Sequence, residues 1–190
     1  MKRRFLVVLC LSFFPVSLFS ATFSIGLDTM ALDALWTNIL TIRVEGVVSL
    51  DDGFSLRFPV AWVDSLSSRD VSFLDVGVLL DYHPFDDGIF VSLGVAEGAF
   101  FFGRDRPEND KCFLNEIAVG YTWRFSPHWF LEPKLQIRDP SGVFATEVAS
   151  LKDAMGSYPM VRFSLVVGGV FLAGPSAKGK GSATECREGE

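Results

Sequence analysis

The chain has 190 residues, of which 49 % are hydrophobic, and carries 17 basic against 23 acidic side chains for a formal net charge of −6. That length suits one domain, and the acidic balance argues against nucleic acid, whose recognition calls for clustered cations. Beyond the first twenty residues or so, no stretch approaches the roughly 20 unbroken apolar residues of a spanning helix. The high apolar content must therefore sit in a large soluble core or in strands that alternate.

Taken in order, the chain opens on Lys2, Arg3 and Arg4, then an apolar run from Phe5 to Phe19, then the small residues Ser20 and Ala21. This is the layout of a secretory signal peptide over residues 1–21. The apolar run is too short for a spanning helix, and Cys10 departs with the leader. Removing the leader's three cations deepens the net charge to about −9. Two cysteines remain, Cys112 and Cys186, too few for a disulfide framework.

A succession of alternating runs follows, and period-two alternation argues strand because successive side chains of a strand point to opposite faces. Phe23, Ile25 and Leu27 alternate with Ser24, Gly26 and Asp28. After a connection holding Trp36, Leu40, Ile42, Val44, Val48 and Leu50 oppose Ile39, Thr41, Arg43, Glu45, Val47 and Ser49. Asp51-Asp52-Gly53 then gives a strong hairpin signal. Phe54, Leu56, Phe58, Val60 and Trp62 oppose Ser55, Arg57, Pro59 and Ala61. A polar connection over residues 64–72 leads to Leu74, Val76, Val78, Leu80 and Tyr82 against Asp75, Gly77, Leu79, Asp81 and His83. A second Asp-Asp-Gly turn ends at Gly88. Ile89, Val91, Leu93 and Val95 then oppose Phe90, Ser92, Gly94 and Ala96, after which the register blurs through Glu97 and Phe100–Phe102.

A charged loop, residues 104–111, precedes the longest hairpin. Phe113, Ile117, Val119, Tyr121, Trp123 and Phe125 share one face, and Leu114, Glu116, Ala118, Gly120, Thr122 and Arg124 the other. Ser126-Pro127-His128 turns the chain. Trp129, Leu131, Pro133, Leu135 and Ile137 then oppose Phe130, Glu132, Lys134, Gln136 and Arg138. A long connection, residues 139–159, contains TEVASLKDAM, which has the composition of a short helix. The last run sets Val161, Phe163, Leu165, Val167 and Phe171 against Met160, Arg162, Ser164, Val166 and Gly168. Residues 175–190 are rich in Gly, Ser and Lys and read as a flexible polar tail.

The result is eight strands whose connections alternate long and short, the short ones being 51–53, 86–88 and 126–128. Outer-membrane barrels have an even strand count, tight periplasmic turns and longer external loops. The expected fold is therefore all-β: an eight-stranded antiparallel up-and-down transmembrane β-barrel over residues 22–174, in the bacterial outer membrane. A soluble lipocalin-like ligand carrier also alternates, with its greasy face inward. Three features favour the membrane. Trp62, Tyr82, Trp123 and Trp129 stand near strand ends at two heights, as interface aromatics do. The polar face mixes small residues with charges of both signs, which suits a narrow lumen where buried charges must pair. The strands, about 9 to 13 residues long, suffice to cross hydrocarbon when tilted. The expected lumen charges are Arg43, Glu45, Arg57, Asp75, Asp81, Glu116, Arg124, Glu132, Lys134, Arg138 and Arg162. An eight-stranded barrel is just wide enough for its own side chains, so these charges are expected to fill the lumen rather than line a pore. Pro59 and Pro133 interrupt strands and call for local bulges.

Two stretches, LDYHPFDDGIFVSLG at Leu80–Gly94 and GYTWRFSPHWFLEPKL at Gly120–Leu135, resemble hairpins of the small outer-membrane β-barrel proteins, the broad OmpW-like and OmpX-like class. The resemblance covers most of the mature chain in pattern and these hairpins in wording, so it bears on fold and not on activity. It implies outer-membrane lipid and the barrel insertion machinery as partners. That class commonly ends on an aromatic at the last strand's terminus, matched here by Phe171, although an extra tail follows it. Functions in the class range over narrow channels, surface adhesion and structural roles.

No spacing of Cys, His or carboxylates suggests a metal site, and no cofactor is expected. His83 and His128 each stand beside a tight turn and a proline, which is turn punctuation rather than chemistry. A lipid-modifying outer-membrane hydrolase would need a nucleophile near a histidine, and Ser126, His128 and Glu132 are the only compact grouping. The expected function is non-enzymatic: a structural or surface-exposed membrane protein, or a narrow solute conduit. Binding of a small solute or surface partner would reside in the long external loops. Cys112 in an outer loop and Cys186 in a periplasmic tail would lie on opposite sides of the membrane.

Overall fold

The computed structural model describes residues 22–29, 38–50, 53–66, 70–85, 88–108, 111–155 and 158–172. The expected leader (1–21) and tail (175–190), with Trp36 and Cys186, lie outside the described residues. The strands are β1 (Thr22–Asp28), β2 (Ile39–Ser49), β3 (Phe54–Ser65), β4 (Val71–Tyr82), β5 (Ile89–Gly103), β6 (Lys111–Phe113), β7 (Glu116–Tyr121), β8 (Trp123–Arg124), β9 (Trp129–Arg138) and β10 (Val161–Leu172). One helix, α1 (Ala145–Met155), stands between β9 and β10. From β1 to β5 each strand pairs antiparallel with the next, β9 pairs with β10, and β10 returns to β1, so the sheet closes on itself. The pieces β6, β7 and β8 run end to end between β5 and β9 and form one stave. The barrel thus has eight staves and closes without a second sheet.

The irregularities have local causes. Pairing of β3 with β4 passes from Arg57↔Leu79 to Val60↔Val76 with no change of register. No bulge forms at Pro59, contrary to expectation. Two ladder steps lapse instead, and the proline ring is accommodated by Gly77, where a Cβ would lie 3.2 Å from Pro59 Cγ. Pro133 behaves similarly. The ladder on β9 lapses between Gly120↔Lys134 and Trp123↔Leu131, again in unchanged register. That gap separates β7 from β8, because Pro133 has no N–H to give.

One bulge is in β5, where Leu79 pairs with Gly94 but Val78 with Ala96, leaving Val95 as the extra residue; a second register shift lies in β10, where Phe23 pairs with Leu172 but Ser24 with Val170. A bulge inverts the facing of everything beyond it. Ala96, expected inside, is exposed, whereas Glu97, Ala99 and Phe101 turn inward. This is why the alternation blurred in the sequence. The connection expected over residues 64–72 is also shorter, since β3 reaches Ser65 and β4 begins at Val71.

The barrel is inside out relative to a soluble protein. Outward positions carry Ile25, Leu27, Ile42, Val44, Phe58, Val60, Val76, Val119, Leu135, Val167 and many others, all exposed. Monomeric soluble proteins rarely expose contiguous apolar patches of such extent. At the tight-turn end Phe54, Tyr82, Tyr121, Trp123, Phe125, Trp129 and Phe171 form one aromatic band. Toward the loop end Trp62, Phe100, Phe102, Phe113 and Phe163 form another, with Trp62 stacked on Phe102 at 5.8 Å. The soluble ligand-carrier alternative fails here, because the inner face is densely charged where it would need to be greasy.

The only described helix fixes the loop end. The chain leaves β9 through Asp139, at φ 48°, and Gly142, at φ 68°. Asp139 Oδ1 accepts the Phe144 N–H at 3.1 Å, which sets up the first turn of α1. Glu147 near its start and Lys152 near its end suit the helix dipole. Leu151, Ala154 and Met155, followed by Tyr158, are buried against Ile39, Val63, Val71, Phe73, Ala99, Phe101, Cys112 and Leu114. These last come from β2 through β6 and the residue after it, so the connection folds into the loop-end mouth and caps it with apolar side chains.

Candidate functional site

Three tiers fill the barrel from the loop end to the tight-turn end: the apolar cap, a ladder of ion pairs, and a polar mouth. The ladder follows from the alternation. Inward positions of β2, β3, β4, β5, β7 and β9 each bring one or more charges to the axis, and sheet twist stacks them at successive depths. Arg138, below the cap, contacts Asp75, Glu97 at 3.3 Å and Glu116 at 3.4 Å. Arg43 donates to both oxygens of Glu116, at 3.0 and 3.2 Å, and through Nε to Glu45 at 2.7 Å. Glu45 also accepts from Lys134 Nζ at 2.5 Å and from Arg57 at 2.5 Å. Arg57 closes the lower end on Asp81 at 2.9 Å and Glu132 at 2.7 Å. The outermost acceptors are held by hydroxyls: Ser92 donates to Asp81 and Thr122 to Glu132, at 2.5 and 3.1 Å.

Every charge in this ladder is nearly fully buried; Arg43 is 2 % exposed and Glu45 1 %. Charged side chains are almost never buried like this unless paired, and each here has a partner of opposite sign. Aromatic rings complete the packing. Phe90 lies under the Arg57 guanidinium at 4.9 Å, and Tyr158 faces Arg162 at 4.7 Å and Arg138 at 5.6 Å. Phe130 fills the space over Gly168, where a Cβ would fall 2.3 Å from its Cζ.

Of the eleven charges expected in the lumen, ten lie buried on the inner face. Arg162 stands apart from the ladder, reaching Thr41 and Tyr158 at 3.4 and 3.5 Å. Arg124 is placed differently: it is exposed at the tight-turn mouth, because β8 is the last short piece of its stave. Two further buried carboxylates belong to the interior. Glu97 was hidden by the bulge in β5. Asp28, which accepts from Ser164 at 2.7 Å, was legible on the polar face of the first run. Trp62, Tyr82, Trp123 and Trp129 all face outward and are exposed.

The grouping of Ser126, His128 and Glu132 does not assemble. Glu132 is committed to Arg57 and Thr122 inside the barrel. Among the described residues Ser126 Oγ accepts only the His128 backbone N–H, at 3.4 Å, which is a turn contact. A different pair meets instead: Ser55 Oγ lies 3.2 Å from His83 Nε2. Burial holds the His83 imidazole below its usual pKa. No signal short of the β3–β4 register could have joined these two residues. Among the described residues no cluster of His, Cys, Asp or Glu could hold a metal ion, and the described cysteine, Cys112, is free and buried in the cap.

A closed eight-stave barrel with charges inside, an apolar belt outside and aromatic bands at both rims is a transmembrane β-barrel. No family model and no curated protein matches the sequence. Among solved structures, the chain is similar to the Yersinia pestis outer membrane protein Ail, whose backbone structure was determined in a phospholipid bilayer nanodisc. The TM-score is 0.46 at 10 % identity, covering 80 % of this chain and 98 % of that one. It is also similar to a de novo designed transmembrane β-barrel, with a TM-score of 0.35 at 13 % identity, covering 79 % and 92 %.

Proposed function

We propose that this protein resides in the bacterial outer membrane as a closed, non-conducting and non-enzymatic barrel, a structural scaffold that presents its long connections at the cell surface. The observation that carries this reading is the continuous ladder from Arg138 to Glu132 lying directly beneath the apolar cap. A permeating ion would have to displace both tiers. Breaking one buried pair costs about 3–5 kcal/mol, and the ladder contains several in series. The tight turns then face the periplasm, as in other barrels of this architecture, and α1 lies on the outer side. In function this reading favours the structural members of the small outer-membrane barrel class over the channels. Outer-membrane lipid and the barrel insertion machinery are the partners this reading requires.

The test is conductance in planar lipid bilayers. Purified, folded protein should give at most small, irregular current. Large, steady channels would overturn the closed-barrel reading.

A further inference from the structure

Buried polar groups without partners are not spread through the barrel but gathered in one layer. Among the described residues, seven buried side-chain nitrogens and oxygens have no hydrogen-bond partner, and six of them belong to Asp75, Glu97, Gln136, Arg138 and Arg162. The register explains the gathering. Gln136 is the inward position of β9 next to Arg138, and it pairs across with Arg162 of β10. Arg138 meets both Asp75 and Glu97 through Nη2, which leaves Nη1 without a partner. The Tyr158 ring roofs both guanidiniums, at 4.7 Å from Arg162 and 5.6 Å from Arg138. The walls are small: Asp75 has Ala61 and Ala99 beside it in the register, and Gln136 has Ala118. The layer thus lies between the apolar cap and the Arg43–Glu116 pair, and Gln136 within it is 2 % exposed.

The six atoms are three donors, Arg138 Nη1, Arg162 Nε and Gln136 Nε2, and three acceptors, Asp75 Oδ1, Glu97 Oε2 and Gln136 Oε1. An anion would serve the donors and be repelled by the two carboxylates, and a metal cation the reverse. Water both gives and accepts. Buried polar groups of folded proteins seldom go without a partner, and ordered water supplies one where protein groups do not. We propose that this layer is a binding site for a cluster of ordered water, roughly two or three molecules at about three hydrogen bonds each, which joins the Arg138 end of the ladder to Arg162. The water is structural: it completes the upper tier, and the cap holds it there. The site stands on the buried layer and not on the role of the barrel at the cell surface.

The experiment is proton-detected solid-state NMR of the full-length folded protein in lipid bilayers, reading magnetisation transfer from water to individual N–H groups. The Gln136 side-chain amide and the Arg138 guanidinium should receive transfer at short mixing times despite their burial. The backbone N–H of Leu135, in the same strand, should not. Transfer to Gln136 no faster than to Leu135 overturns the proposal. Gln136→Leu gives a second reading. In a dry layer this change would remove two unpaired polar atoms and raise the urea midpoint. With water bound, it strips the cluster of a donor and an acceptor, so the midpoint should fall and transfer to Arg138 should weaken. An equal or higher midpoint overturns the proposal; should the variant fail to fold, transfer in the parent chain decides alone.

Discussion

Glu45 is the node on which the ladder converges, and replacing it with glutamine isolates the energetics of the interior. The substitution keeps the shape and removes the charge. Arg43 still has Glu116, and Arg57 still has Asp81 and Glu132. Lys134 does not: among the described residues Glu45 is its only ion-pair partner, and Lys134 is 2 % exposed. Glu45→Gln therefore leaves the Lys134 ammonium without a contacting carboxylate, balanced only at longer range by Asp28 and Glu116, which costs up to about 3–5 kcal/mol. Removing the stranded charge as well, in Glu45→Gln/Lys134→Met, should return about 1–3 kcal/mol of that loss, the usual coupling between residues in one network. The assay is reversible urea unfolding of barrels folded into phospholipid vesicles, followed by tryptophan fluorescence and by the mobility of unheated samples on gels. A Glu45→Gln variant within about 0.5 kcal/mol of the parent, or strict additivity in the cycle, would refute a ladder that depends on mutual pairing.

Other perturbations address the remaining tiers. Leu135→Arg places a charge on the outward face of β9 and should destabilise the vesicle-inserted barrel by about 2–4 kcal/mol if that position is near the bilayer midplane. The same change at Val143, in the exposed loop before α1, should stay within about 0.5 kcal/mol. Gly168→Ala drives a methyl into Phe130 and to 2.5 Å from the Ile25 carbonyl oxygen and should cost about 1–3 kcal/mol, only part of it recovered by Phe130→Leu, as chemical unfolding would reveal. Leu151→Ala hollows the cap and should weaken its packing by about 2–5 kcal/mol. Maleimide labelling of Cys112, buried in that cap, should then accelerate in a Cys186→Ser background; an unchanged rate would mean that α1 does not seal the mouth.

Much of the barrel was legible because its physics is one-dimensional along each strand. Alternation alone separated the lipid-facing from the lumen-facing residues on β2, β3, β4 and β9, and glycines at φ 78° and 98° end the two Asp-Asp-Gly turns as hairpin geometry requires. What was not legible came from relations between strands. The extra residue Val95 inverts the upper half of β5, and only the pairing with β4 reveals it, so Glu97 was missed as a ladder carboxylate. The prolines looked like sites for bulges because a single sequence cannot show that the neighbouring ladder simply skips a step. The charges themselves were visible, but their partners were not, since Arg43 and Glu116 stand 73 residues apart. The cap was hidden for the same reason: a short helix in a long connection gives no sign, in sequence, that it turns back into the barrel. Ser126, His128 and Glu132 were close in the chain and therefore conspicuous, while the serine and histidine that meet, Ser55 and His83, lie on different strands of a hairpin.

The inverted polarity of the barrel is tested most directly by a nitroxide scan along β9 in lipid bilayers, from position 129 to 138, reading accessibility to oxygen and to a water-soluble nickel complex. An inside-out barrel requires a period of two, with high oxygen accessibility at Leu131, Pro133, Leu135 and Ile137 and low accessibility to both reagents at Glu132, Lys134 and Gln136. Oxygen accessibility peaking at the even positions, or nickel accessibility along the whole strand, would contradict a charged interior wrapped in an apolar, lipid-facing wall.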